Sequence, residues 1–166
     1  MRIAPLKVAL VILLALSGAF AQNSKNKNAV PVLPGSEYSG MYAFLKEGEF
    51  VQISVEEKGH VSGFVSRYGD LESDRGAFLD HFFKTGKLEG SKLSFTTEIV
   101  HGISFDFQGS IERGEGKKPG DEAFYVLKGT LTETSTDANK KSTSNSREVA
   151  LKSFPQDMVP TPPSRK

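Results

Sequence analysis

From Ser36 to Phe154 apolar and polar residues alternate with a period of two, the mark of strands with one buried and one wet face. Met41–Leu45 is a first short strand. Phe50–Glu57 sets Val51, Ile53 and Val55 against Gln52, Ser54 and Glu56, and Lys58-Gly59 turns the chain into His60–Tyr68. Leu93–Ile99, Ile103–Glu112, Phe124–Glu133 and Arg147–Phe154 continue the rhythm. The pattern predicts inward-facing Val51, Ile53, Val55, Val65, Leu93, Phe95, Phe105, Phe107, Ile111, Tyr125, Leu127, Leu131 and Val149. One polar face per strand points to antiparallel pairing, and short turns favour pairing in sequence order. Two polar stretches, Gly114–Glu122 and Ser135–Ser146, read as solvated hairpin loops.

One segment, Tyr68–Lys84, breaks the alternation. Phe78, Leu79, Phe82 and Phe83 are spaced as one apolar face of a short helix, with Asp74 as its N-cap, Lys84 in its last turn and Gly86 as its stop. Such a helix over 74–84 is expected to cover one end of the sheet, as a plug sealing the core or as a lid over a ligand.

Glycine recurs two residues after an apolar residue in Val61-Ser-Gly63, Leu88-Glu-Gly90, Phe107-Gln-Gly109 and Leu127-Lys-Gly129. Glycine within a strand marks a bend, and repeated bends let a sheet curl and close. The expected fold is therefore all-β: an antiparallel up-and-down meander of about seven or eight strands closing into a small barrel, with one short helix. A β-sandwich is the alternative. These spaced motifs, with Gly40-Met41-Tyr42 early in the domain, resemble the lipocalin-like small barrels of exported bacterial proteins of unassigned function. The resemblance runs from Gly40 to Phe154 and implies a barrel able to hold an apolar ligand.

The ends add a compartment. Arg2 and Lys7 precede nine consecutive apolar residues, Val8–Leu16, and Ala19-Phe20-Ala21 supplies small residues for signal peptidase. A spanning helix needs about 20 apolar residues, so this run reads as a signal peptide, 1–21, cleaved after Ala21. Residues 22–35 read as a flexible leader, 36–155 as the barrel domain and 156–166, with three prolines, as a disordered tail. Removing Arg2 and Lys7 from 21 basic residues leaves 19 against 20 acidic ones. That balance argues against nucleic acid as a partner, and no membrane span is expected once the signal is removed. An exported chain with no cysteine must hold its fold by its core alone, which fits a bacterial periplasmic or secreted protein.

Chemistry-bearing motifs are sparse. No G-x-S-x-G elbow and no phosphate-binding glycine loop opens a helix. Asp70-x-Glu72-x-Asp74 has calcium-loop spacing, but its glycine stands at the seventh place and His81 where a bidentate acid belongs. His60, His81 and His101 lack local zinc spacing. No cofactor, metal site or catalytic residue is expected. The candidate ligand-binding or lid residues are Arg67, Tyr68, Asp70, Phe78, Asp80, His81 and Phe82. The leading functional expectation is a non-enzymatic domain that binds a small apolar or amphiphilic ligand. An envelope or extracellular interaction module with a packed interior comes second, its protein partner unidentified, and a hydrolase built on the Asp70–His81 region comes third.

Overall fold

The computed structural model describes residues 33–70 and 72–156. The signal peptide, most of the leader and nearly all of the tail expected from the sequence lie outside the described residues. Eight antiparallel strands form one sheet in strict sequence order: β1 (Gly40–Ala43), β2 (Phe50–Val55), β3 (Val61–Tyr68), β4 (Phe78–Glu89), β5 (Lys92–Thr97), β6 (Ile103–Arg113), β7 (Tyr125–Thr136) and β8 (Ser142–Lys152). The sheet curls into a half-barrel. Its first and last strands touch where Tyr42 lies opposite Ser153 and the Phe154 N–H donates to the Met41 carbonyl at 2.8 Å. The up-and-down meander expected from the alternation is what forms.

The concave side is filled by side chains from all eight strands. Val51, Ile53, Val65, Phe95, Phe107, Leu127 and Leu131 are shut off from solvent, while Tyr125 and Val149 pack at the margin. Phe83, Phe95 and Phe107 stack in a row across β4, β5 and β6, with centroids 4.3 and 5.3 Å apart. Each fully buried side chain of this size contributes about 1.5–3 kcal/mol, so this stack anchors the middle of the sheet. Glycine makes the curl possible. Gly109 and Gly129 face each other across β6 and β7, where a Cβ on Gly109 would fall 2.2 Å from the Lys128 carbonyl oxygen. Gly63, at φ 154, would press a Cβ to 2.0 Å from the Gln52 oxygen. Gly90, in contrast to expectation, sits in the β4–β5 turn and bends no strand.

Two further sequence-based expectations are overturned. The short helix over 74–84 does not form: Phe78–Glu89 is β4, paired to β3 and β5, and the described residues contain only isolated single 3-10 turns. The helical spacing has two causes. Both faces of β4 are apolar, with Leu79, His81 and Phe83 inward and Phe78 and Phe82 outward. A bulge between Phe83 and Thr85 then shifts the inward set to Gly86 and Leu88. The second correction concerns Ser135–Ser146. Only 137–141 is a turn there, because β7 runs on to Thr136 and β8 begins at Ser142. Hydroxyl pairs hold this polar hairpin: Thr132 with Ser146 at 2.8 Å, and Thr134 with Ser144 and Thr136 with Ser142 at 2.9 Å.

Candidate functional site

Strand alternation divides the residues singled out in the sequence into two groups on opposite faces of β3 and β4. Arg67 and His81 point inward; Tyr68, Phe78, Asp80 and Phe82 point outward. Asp70 follows β3 in the loop at that end of the sheet.

The inward group is a buried polar cluster beneath the β3–β4 loop. Arg67 is 6% exposed and His81 fully buried. Arg67 Nε donates to His81 Nε2 at 3.2 Å; its Nη1 donates to the Tyr68 carbonyl at 3.0 Å and to Asp70 Oδ2. The Phe105 ring closes the pocket, 5.3 Å from His81 and 6.0 Å from the guanidinium. Guanidinium can only donate, so His81 Nε2 must be the bare nitrogen and the proton must sit on Nδ1. That Nδ1 has no hydrogen-bond partner among the described residues. Burial, with the Arg67 charge second, pushes the imidazole down from 6.5 to about 4, against a weaker upward pull from the Glu98 and Ile103 carbonyls. Asp70 is held below the ordinary carboxylate range, first by the hydrogen bond from Arg67.

The neighbouring loops are pinned over this cluster. Lys46 reaches Asp70 at 3.4 Å, and His101 Nδ1 meets Asp74 Oδ2 at 2.6 Å. Buried Glu49, which the sequence reading missed, accepts from the backbone N–H groups of Lys46 and Tyr68, both at 3.1 Å. Asp70 and Asp74, whose calcium-loop spacing was set aside in the sequence, thus face different partners, and Glu72 stands exposed beside them. The three histidines do not converge. His60 pairs with Glu56 at the β2–β3 turn, at the other end of the meander from His101. Two open grooves, lined by residues such as His60, Thr85 and Ser94 or Pro34, Tyr38 and Leu88, also lie at that far end, away from the cluster.

The outward group belongs to an apolar patch on β1–β4. Met41, Gln52, Phe64 and Phe82 stand in one row straight across four strands. Ala43, Phe50, Ser66 and Asp80 form the next row, and Tyr68 and Phe78 the third. Phe82 is 56% exposed and Phe78 49%. Neighbouring rings touch: Tyr68 and Phe78 at 4.5 Å, Phe64 and Phe82 at 5.5 Å, Phe50 and Phe64 at 5.8 Å. Asp80 lies between Phe78 and Phe82, and its Oδ1 accepts from Ser66 Oγ at 2.7 Å. Phe50 and Phe64 were missed in the sequence reading. Their signal was there, since each is a large apolar residue out of phase with the inward set of its strand.

No protein-family model matches the chain, and a search among curated proteins returns no match.

Proposed function

We propose that this chain is an exported, non-enzymatic interaction module that binds its partner through the outer aromatic face of β1–β4. The observation that carries the reading is the contiguous patch of Phe50, Phe64, Tyr68, Phe78 and Phe82 on the solvent side of the sheet. Large exposed apolar patches on a soluble domain mark sites of association. An apolar ligand within the barrel is the weaker reading, because the Phe83–Phe95–Phe107 stack and its neighbours occupy the concave side. The hydrolase reading loses its base: His81 is sealed from solvent and its free lone pair is held by Arg67. The export half rests on the residues before Gln22, and a chain that stays in the cytoplasmic fraction of its host with residues 1–21 still attached by intact mass overturns it.

A photo-crosslinking amino acid placed at position 82 and expressed in the native host tests the module itself. Discrete heavier adducts are expected from position 82 and none from position 132, on the hydroxyl-lined outer face of β7. No adduct from position 82, or equal labelling from both, overturns the assignment.

A further inference from the structure

We propose that the aromatic patch is a receptor for an arginine side chain presented by a protein partner, with Asp80 as its counter-ion. The inference rests on the reading of this face as the interaction surface and names what it recognises. Asp80 sits at the centre of a frame, with Phe78 and Phe82 two residues away on its own strand and Ser66, flanked by Phe64 and Tyr68, directly opposite. Residues four apart on one face of a strand are separated by about 13 Å, so the rings of Phe78 and Phe82, each packed on its β3 neighbour, flank the Asp80 carboxylate on the outer face. Ser66 pins Oδ1 of this exposed carboxylate, and Oδ2 has no hydrogen-bond partner among the described residues. Among the described residues no basic side chain forms an ion pair with Asp80, and Lys46 and Arg67 are both paired with Asp70.

A carboxylate left without a cation among aromatic faces is complementary to a cation that stacks. Ring faces attract cations, and guanidinium stacks on them while its fork of N–H groups engages a carboxylate. A quaternary ammonium would satisfy the rings but has no N–H for the free oxygen, and an ammonium would satisfy the oxygen but has no plane to stack. Arginine meets both demands. The strand rows add a geometric reason: an extended partner segment lying across β1–β4 can drop one side chain between Phe78 and Phe82 and rest its apolar neighbours on Phe64 and Met41.

The test uses N-acetyl-arginine amide and its uncharged counterpart N-acetyl-citrulline amide, titrated into the 15N-labelled protein. The arginine probe should shift the amides of Ser66, Tyr68, Phe78, Asp80 and Phe82, with a millimolar Kd fitting one side chain. Citrulline should bind at least about tenfold more weakly. Asp80→Asn, a change at an exposed position, should keep the spectrum of the folded domain and bring the two probes level. Equal shifts from both probes in the unchanged protein overturn the arginine assignment while leaving an apolar interaction face, which position-82 crosslinking tests separately. An absence of shifts with either probe overturns it as well. Asp80-dependent sedimentation with phosphatidylcholine vesicles overturns it in favour of a lipid headgroup.

Discussion

His81 shows how one buried contact sets a pH response. Its Nε2 accepts from a guanidinium that cannot give up its charge, so protonation would break that bond and set two cations side by side in a sealed site. The folded-state value is about 4, against about 6.5 for the exposed side chain of the unfolded chain. The unfolded state therefore binds the proton first as pH falls. Stability should be full above the unfolded value, decline between about pH 6.5 and 4, and stop responding to this group below that. The loss corresponds to about 3 kcal/mol. Asp70, held low by Arg67, contributes separately and gives way only at pH values below the ordinary carboxylate range. Urea unfolding of wild type and His81→Gln from pH 7.5 to 4 checks this. Gln retains an acceptor for Arg67 but does not titrate, so its stability should be flatter across the window. Parallel curves for the two proteins would remove His81 as the cause. A direct check is the 15N spectrum of His81, expected to show the Nδ1–H tautomer at neutral pH.

At the scale of elements, β4 is where energetics and legibility meet. In a helix plugging the barrel, Phe82 would be a core residue, and its truncation would cost about 3–5 kcal/mol. On the outer face of a strand, half in water, the same change should cost below about 1 kcal/mol, because little apolar area is lost and no cavity opens. Phe95→Ala, in the middle of the inner stack, should cost the full about 3–5 kcal/mol. Chemical denaturation of both variants beside wild type measures the contrast, and a Phe82→Ala loss as large as that of Phe95→Ala would return Phe82 to the core. The neighbouring strands were legible because Val51, Ile53 and Val55, or Phe105 and Phe107, face residues that water can solvate. Period two then shows directly in the letters. β4 carries phenylalanine on both faces and a bulge that changes phase midway, so its period is hidden. The candidate site was half legible for the same reason. Tyr68–Lys84 stood out in the sequence because it breaks the alternation, but only the pairing of Val65 with His81 and Ser66 with Asp80 reveals that alternate members face opposite ways.

For the whole molecule, the half-barrel divides its outer surface between two chemistries. β1–β4 present aromatic rings, whereas β5–β8 present ranks of hydroxyl and carboxylate groups, such as Thr96, Asp106, Thr132 and Ser146 in successive strands. The two halves share one core, and the sheet is brought round on itself at a single place. Ser153, opposite Tyr42 at that join, is itself held to the start of β7: its N–H donates to the Tyr125 carbonyl at 2.9 Å, its own carbonyl accepts from Ala123 at 2.9 Å, and its Oγ accepts from the Tyr125 N–H at 3.2 Å. The next residue, Phe154, donates to β1. Ser153→Pro removes one backbone donor and one side-chain acceptor at the bridge opposite Tyr42, whose phenol is anchored by donating to the Tyr38 carbonyl at 2.7 Å. Each such bond carries about 1 kcal/mol net, and an orphaned buried partner about 1–3 kcal/mol. The variant should therefore lose about 2–4 kcal/mol. Its amide of Phe154 should exchange with solvent far faster than in wild type, while amides in the β5–β6 pair keep their relative protection. Hydrogen exchange read residue by residue distinguishes this local opening from general weakening. Uniform loss of protection across all eight strands would mean that the bridge is no separable clasp and that β1 and β8 are held by the core beneath them.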